Sequence, residues 1–284
     1  MAKVFSNGRA GGWRRGIRDP LNEKPITRKL GARRRGTPVN PALKDPQYFP
    51  RIRDQLDIGS CTGHGVRSAL AYKVRQKLGD KLKGAWAEKW DLSPLAMYYL
   101  GRAEEGKEFI TQDVGCVIEL VVKAAQKYGI PTEESWPYDI TKYKRKPSKA
   151  ALDTALWHQA CPGSYRCDED GDPNHTIDRM LQALEQDLPL VYGFATYENI
   201  GDADADGIVR PPKGAMDGGH CVDGYWANTD DRIFWGPNSW GNQIGGPALR
   251  GARYEERGYI GLPFQLILDK QVDDIWAVDL EEVE

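Results

Sequence analysis

Apolar residues recur at helical spacing in the first half of the chain. From residue 60 to residue 78 they stand at every fourth position, which buries one face of a helix: Val66, Leu70, Val74 and Leu78. Ser60 is suited to cap the start of this helix, and Gly79 is suited to follow its end. A second helix is predicted from about Val117 to Tyr128, where Gly129 stops it.

The pattern changes in the second half. Thr176 to Asp187 predicts another amphipathic helix, and the apolar run from Leu190 to Phe194 predicts a buried strand. Further strands are predicted over residues 220–226, 232–235 and 259–262. A mainly helical part followed by a strand-rich part indicates an α+β fold.

Length and cysteine content set the outer bounds. A chain of 284 residues suffices for one large domain or two small packed halves. The first residues lack the apolar stretch of a signal peptide, and no run of 18 apolar residues could span a bilayer. The chain is therefore expected in a cytoplasm, with no membrane partner. Its five cysteines are an odd number, and thiols of a cytosolic protein are normally reduced.

Charge is distributed unevenly along the chain. Residues 1–36 hold eleven Lys or Arg against two acidic residues, so their net charge is +9, whereas the whole chain carries −2. The Gly- and Pro-rich stretch 1–47 is predicted to be a basic N-terminal arm ahead of an acidic body that begins at residue 48. Such an arm could bind nucleic acid or an acidic partner. The simpler alternative is a solvated arm that partly folds back on its own body.

Four polar side chains stand in settings that suit covalent catalysis. Cys61 falls in the first turn of the first predicted helix, where unpaired N–H groups and the helix dipole favour a thiolate. His220 follows two glycines, and Asn238 is followed closely by Trp240. A cysteine nucleophile needs a base, a group that orients the base and an oxyanion donor. With Gln55 as the donor, the chain contains one candidate for each role.

These motifs resemble the papain-like cysteine peptidase family from about residue 55 to residue 275. The carriers are Gln55 to Cys61, Gly218-Gly219-His220, residues 236–241 (Gly-Pro-Asn-Ser-Trp-Gly) and the Gly-Tyr strand near residue 259. The resemblance implies a two-lobed fold, with a helical lobe over about 48–155 and a β-barrel-like lobe over about 156–284. It implies hydrolysis of polypeptides without a metal or organic cofactor.

The resemblance also assigns the roles. It makes Cys61 the nucleophile, His220 the acid and base, Asn238 the group that orients His220, and Gln55 the oxyanion donor. Trp240 and Gly219 would support the site, Trp240 by shielding the histidine's hydrogen bond from water. The family's glycine-rich segment, which lines the substrate, aligns loosely with residues 113–115.

Several features depart from the family pattern. Ile58 stands where secreted members carry a disulfide cysteine, which favours a microbial or phage-type branch. Thr62 replaces the usual tryptophan, and Cys221 places a second thiol beside His220. Gln55 comes too early for the long pro-segment of secreted members, so either no zymogen exists or the arm itself inhibits. Rival hypotheses are hydrolysis of cell-wall peptides by the same residues, or a silent binding protein that docks through its arm.

Weaker signals concern metals and the remaining histidines. Asp202, Asp204 and Asp206 resemble the start of a calcium loop, but Lys213 stands where a bidentate Glu is needed, so a polar turn is the better interpretation. A zinc set is not favoured because its cysteine spacing is unusual; its members would be His158, Cys161, Cys167 and His175. Whether the two cysteines of that set pair stays open. His64 is interpreted as a structural or surface histidine.

Overall fold

Three helices form the core of the first half. In the computed structural model, which describes residues 3–5, 8–16, 40–79, 91–153, 155, 163–254 and 256–280, these are α1 (Cys61–Leu78), α2 (Pro94–Glu105) and α3 (Ile118–Tyr128). Every residue of α1 from Cys61 to Arg75 is buried. Burial of α1 therefore extends beyond the single apolar face predicted from the sequence, because α2 and a β-sheet cover α1 from different sides.

The polar residues of α1 are accommodated by specific partners. Arg67 forms a buried ion pair with Asp91, and Lys73 donates to the backbone carbonyl of Asp187 at 3.1 Å. Buried charges are tolerated only when they are paired in this way. The pattern of apolar residues could not show that this central helix carries its own buried charges.

The start of α1 differs from the expected cap. Ser60 occupies the N-cap position, but its side chain makes no capping hydrogen bond. Its hydroxyl lies 2.7 Å from the Tyr138 hydroxyl instead, which in turn donates to the Gln55 carbonyl at 2.7 Å. Ser60 thus ties the loop before α1 to Tyr138, and the first N–H groups of the helix remain available to Cys61 and its surroundings.

The second half contains two antiparallel sheets. The first sheet contains β3 (Ser164–Arg166), β4 (Leu190–Tyr197), β5 (Met216–Gly224) and β10 (Val272–Val278), in the order β3-β10-β4-β5. The second sheet contains β6 (Trp226–Asn228), β7 (Ile233–Pro237), β8 (Gly246–Pro247) and β9 (Arg257–Pro263), in the order β6-β7-β9-β8. The antiparallel strands are confirmed. The lobe expected to be β-barrel-like consists of two antiparallel sheets, and its described strands do not close into a barrel.

Short helices complete this half: α4 (Lys149–Asp153), α5 (Pro173–Glu185) and α6 (Phe264–Leu268). The start of α5 is earlier than predicted because the Asp172 side chain accepts hydrogen bonds from the Asn174 and His175 amides and so caps it. None of the helices in the described ranges combines the length and the apolar character needed to cross a bilayer.

Parts of the N-terminal arm pack against the body. Residues 3–4 and 10–11 pair as the short strands β1 and β2 (Lys3–Val4 and Ala10–Gly11). Further on, the Leu43 amide donates to the Tyr225 carbonyl at 2.9 Å. Ordered contacts therefore begin well before residue 48, while the division of the chain at residue 47 stays a prediction.

Candidate active site

Cys61 lies where the first residue of α1 meets β5. The residue is fully buried, and its thiol lies within hydrogen-bonding reach of backbone N–H groups of Thr62, Cys221, Gly12 and Trp13. Because Cys221 directly follows His220 on β5, the thiol and the imidazole belong to the same corner of the fold. A helix N-terminus and a sheet strand thus converge on one sulfur atom.

His220 is held by the loop that follows β7. Its Nε2 lies 2.8 Å from Oδ1 of Asn238, and its ring stacks on Trp240 with centroids 4.2 Å apart and planes 18° from parallel. Since a carboxamide oxygen only accepts, Nε2 carries the proton and donates it. Nδ1 of His220 has no hydrogen-bond partner among the described residues. The imidazole therefore has one fixed nitrogen and one free lone pair.

Gln55 has its amide oriented by Ser239. The Ser239 hydroxyl donates to Oε1 of Gln55 at 2.6 Å, which fixes the oxygen and turns the NH2 group toward the cleft. That NH2 group donates to the Ile58 carbonyl at 2.9 Å and to the Ala10 carbonyl at 3.1 Å. The Gln55 side chain, which sequence analysis selected as oxyanion donor, is therefore already hydrogen-bonded to peptide carbonyls.

The Ala10 carbonyl belongs to a segment of the arm that lies over the site. We call residues 3–5 and 8–16 the covering segment. Its Gly12 and Trp13 amides both donate to the Gly219 carbonyl, at 3.1 and 3.2 Å. The Cys116 amide donates to the Gly12 carbonyl at 2.7 Å, and the Arg14 amide donates to the Cys116 carbonyl at 3.0 Å. The segment thus runs as an added strand between β5 and the loop before α3.

Close approach requires glycine in this segment. A Cβ atom on Gly12 would fall 1.9 Å from the Gly59 carbonyl oxygen, and one on Gly115 would fall 1.9 Å from the Gly12 carbonyl oxygen. Two aromatic side chains anchor the segment: Phe5 contacts the rings of His220 and Trp240 edge-on, and Trp13 is only 5% exposed. The covering segment accordingly seals Cys61 and His220 from solvent.

Arginines of the covering segment pair with carboxylates of the body. Arg15 lies 3.1 Å from Asp273 and Arg9 lies 3.5 Å from Asp204. Arg14 pairs with Glu105. These contacts of residues 9, 14 and 15 agree with the simpler interpretation, in which the basic arm partly folds back on its own body. Neither they nor the comparisons below support a nucleic acid or acidic partner.

Comparisons with known proteins identify the fold. No protein-family model matches the sequence. A protein of Acanthamoeba polyphaga mimivirus, described as an uncharacterized peptidase C1-like protein, is 29% identical over 240 residues, which cover 82% of this chain and 70% of that protein. Xylellain, a cysteine protease from Xylella fastidiosa, superposes with a TM-score of 0.72 at 24% identity over 99% of this chain and 98% of its own. The chain therefore has the fold of papain-like cysteine proteases and is similar to a peptidase C1-like protein.

The papain-like fold extends to plant members. A cysteine protease of Carica candamarcensis in complex with E-64 superposes with a TM-score of 0.56 at 16% identity, over 87% of this chain and 100% of its own. This likeness concerns the fold. It shows that the arrangement of helical half and antiparallel sheets, correctly expected from the sequence, is the papain-like one.

Burial disfavours the charged forms of the Cys61 thiol and the His220 imidazole. It raises the pKa of the Cys61 thiol to about 12 and lowers the pKa of the His220 imidazole to about 4, although the Asn238 hydrogen bond raises the latter. Charged forms are disfavoured because water is excluded. Burial under the covering segment therefore opposes the thiolate that the helix N-terminus favours.

The side chains of Cys221 and His64 lie next to the site but point away from the cleft. Cys221 is 1% exposed, and its sulfur lies 3.0 Å from where a Cβ on Gly65 would be, so it points into α1. His64 bonds to the Ser60 carbonyl through Nδ1 at 3.1 Å and packs edge-on against Tyr138. The second thiol that sequence analysis placed beside the cleft is thus packed inside the protein.

The metal hypotheses find no support in the described part of the chain. No group of three or more His, Cys, Asp or Glu residues there is arranged to hold a metal ion. In the supposed calcium loop, Asp206 pairs with Arg210, and Asp204 with Arg9. Cys167 is buried with a free thiol, and His175 contacts Asp170 at 3.2 Å. Cys161 and His158 lie outside the described residues.

Sequence reasoning raised inhibition by the arm as one alternative, but it did not identify the residues of the covering segment. Its signal was present in the run Gly11-Gly12-Trp13, where two glycines permit close backbone approach beside one large anchor. It also missed Ser239 and Tyr138 as supports of the Gln55 loop. A hydroxyl beside Asn238 carries no sign of its partner when that partner is 184 residues away along the chain.

Proposed function

We propose that the protein is a cysteine-type endopeptidase that cleaves polypeptides through a covalent thioester on Cys61. The observation that carries this proposal is the Ala10 carbonyl on the Gln55 amide, in a strand that passes within reach of the Cys61 thiol. The site therefore accepts an extended peptide backbone with one carbonyl on a candidate oxyanion donor. Acyl transfer needs that arrangement.

The steps follow from the positions of the side chains. Once the cleft opens, the Cys61 thiol loses its proton to Nδ1 of His220, and the sulfur attacks the substrate carbonyl carbon. The oxyanion would be stabilised by Gln55 Nε2 and the Cys61 amide, each donor worth about 2.7 to 4 kcal/mol. His220 then protonates the leaving amine, and the C–N bond breaks to leave a thioester.

Deacylation uses the same groups in the opposite direction. His220 takes a proton from water, whose oxygen attacks the thioester carbonyl, and the sulfur leaves with the proton that His220 returns. Asn238 keeps Nε2 of His220 occupied throughout, so Nδ1 always faces the reaction. Trp240 lies flat on the imidazole and excludes water from that hydrogen bond.

The covering segment makes the described state a latent one. Its strand occupies the Gly219 and Cys116 backbone groups that a substrate strand would use, and it desolvates both reactive side chains. Of the two alternatives left by the sequence, inhibition by the arm is the one that these contacts favour. Activity then depends on displacement or removal of the segment.

Two rivals use the same fold differently. A cell-wall peptide hydrolase would need the same residues, and only its substrates would differ. A silent binding protein would have no use for an unpartnered Nδ1 on an oriented histidine beside a buried thiol. That free lone pair favours catalysis over simple binding.

Turnover of two substrate classes separates these possibilities. The protein, activated by limited proteolysis of its arm, is incubated with an unfolded polypeptide and with peptidoglycan stem peptides, and new amino termini are counted. We expect cleavage of the polypeptide, no cleavage by Cys61→Ala, and unchanged cleavage by Cys167→Ala, which removes a buried thiol that directly follows β3. Cleavage of stem peptides alone would favour the cell-wall rival, and cleavage of neither would favour the binding protein.

A further inference from the structure

Asp113 lies between two parts of the site that a bound substrate would bring together. Its carboxylate accepts the Gly59 amide through both oxygens, at 3.0 and 3.2 Å. Gly59 stands two residues before Cys61, and Asp113 stands three residues before Cys116, whose amide and carbonyl bond to the covering segment. We call these two backbone groups of Cys116 the peptide-binding edge. Asp113 therefore reaches from the side of this edge to the loop of the nucleophile.

The Tyr98 hydroxyl completes the connection. It donates to Oδ1 of Asp113 at 2.5 Å and accepts the Gly115 amide at 3.1 Å. Gly115 directly precedes Cys116 and has a φ of +74°, a conformation that glycine adopts without strain. Hydrogen bonds thus run from the Gly59 amide through these two side chains to the Gly115 amide. We call Asp113 and Tyr98 the clamp.

The clamp is built inside the protein. Tyr98 is completely buried and Asp113 is 6% exposed. The Arg102 guanidinium lies 3.9 Å from the centroid of the Tyr98 ring and donates to the Gln112 carbonyl at 2.6 Å, so it fixes the residue before Asp113. A buried carboxylate is tolerated when hydrogen bonds and a nearby positive charge satisfy it. A polar network that is satisfied in this way is rigid, and the clamp gives its two ends a fixed separation.

Catalysis on a peptide needs that separation. A strand that bonds to Cys116 brings its scissile carbonyl to the Cys61 thiol only when the two loops keep their distance. A misplacement of about 1 Å can cost about 100-fold in rate. The covering segment bridges the same distance, because it bonds to Cys116 while its Ala10 carbonyl accepts from Gln55. The edge and the nucleophile loop must therefore be held relative to each other.

We infer that Asp113 and Tyr98 are positioning residues of the peptidase, which hold the peptide-binding edge in register with the loop that carries Cys61. The inference rests on the proposed function, because this register matters when Cys61 attacks a bound peptide. It goes further in naming two side chains that act through the backbone of Gly59 and Gly115 and not on the reacting atoms. Substrates that lie along the edge depend on the clamp, whereas a small reagent that reacts with Cys61 alone does not.

The test compares Tyr98→Phe with Tyr99→Phe in the full chain with Gly12→Val, which we expect to unseat the covering segment. Tyr98→Phe leaves the Gly115 amide without its acceptor, whereas Tyr99→Phe removes a hydroxyl from the next residue of α2, outside the clamp. Because the edge binds substrate alike in the ground and transition states, KM on an unfolded polypeptide should rise about 10- to 100-fold in Tyr98→Phe, with kcat within about threefold. Tyr99→Phe should change neither. An equal KM in the two variants would overturn the inference.

Asp113→Ala tests whether the two side chains act together. It removes the contacts with both Gly59 and Tyr98, so it should lower kcat/KM more than Tyr98→Phe does. Adding Tyr98→Phe to it should then cost about threefold at most, because the effects of residues in one hydrogen-bond network are not additive. Losses that multiply would show that the two residues act independently, which overturns the clamp.

Two measurements that need no turnover keep the failure modes apart. Alkylation of Cys61 by iodoacetamide, which does not use the edge, should proceed in Tyr98→Phe within about threefold of the rate in the Gly12→Val protein. Binding of a peptide with the sequence of residues 8–16 should weaken about 10- to 100-fold in Tyr98→Phe. If no polypeptide is cleaved while this binding weakens, the proposed function fails and the clamp stands. If alkylation slows as much as cleavage, or if binding is unchanged, the positioning role fails.

Discussion

Replacing His220 by alanine is expected to lower kcat/KM of the opened peptidase by about 10⁶-fold, as loss of a base does in an enzyme of comparable design. The physical reason is that Nδ1 of His220 is the free nitrogen of an imidazole oriented by Asn238, and that His220 precedes Cys221, whose amide reaches the Cys61 thiol. Initial rates on an unfolded polypeptide, measured with enough protein to detect the residual rate, check this expectation.

Controls make the result specific to His220. His175→Ala removes a histidine whose side chain is 64% exposed, and it should leave the rate unchanged. Cys61→Ala should cost about as much as His220→Ala, and the double variant should lose no more, because the two act as one unit. Additive losses in the double variant would show that His220 and Cys61 act independently, which contradicts the proposed chemistry.

Gly12→Val in the otherwise intact chain is expected to raise kcat/KM about 100-fold. The valine Cβ would collide with the Gly59 carbonyl oxygen, 1.9 Å away, so the strand cannot seat between β5 and Cys116. The seated segment loses two or three hydrogen bonds at about 1 kcal/mol each, and it also buries less apolar surface. Together these losses destabilise the seated state by about 3 kcal/mol, which corresponds to about two orders of magnitude in the equilibrium between covered and open cleft.

The matched control for this variant is Gly8→Asn. Gly8 belongs to the same segment, has nothing within 4 Å of a Cβ, and has a φ of +78° that asparagine tolerates. Its rate should stay at the wild-type level. Amide hydrogen exchange at residues 10–14 reports independently whether the segment is unseated. A segment that exchanges freely in Gly12→Val without any gain in activity would refute inhibition by the arm.

The elements with strong local signals were predicted well. α1 begins one residue from its expected start because spacing of apolar residues and flanking Ser60 and Gly79 act locally. β10 was not predicted as a strand: its register shifts between Asp273 and Trp276, and Asp274 adopts a φ of 57°, so alternation is interrupted there. Helix α2 was missed because its apolar run after Pro94 has no clear period.

The site itself was only partly predictable. Glycine-flanked Cys61 and His220 and the motif around Asn238 carry local marks of their chemistry, so they could be selected from sequence. The protonation state of Cys61 could not be predicted from the sequence, because burial raises the pKa of its thiol and no local pattern shows that burial. Long-range contacts such as that of Asp113 with Gly59 leave no trace in local spacing.

Peptide-mapped mass spectrometry after reaction with an epoxysuccinyl peptide tests the central claim most directly. In the Gly12→Val protein we predict a single adduct on Cys61, which disappears when His220 is also replaced by alanine. The other described cysteines, Cys116, Cys167 and Cys221, should stay unmodified because each is buried. Absence of an adduct on Cys61 in this opened protein, or equal labelling of several cysteines, would contradict the account.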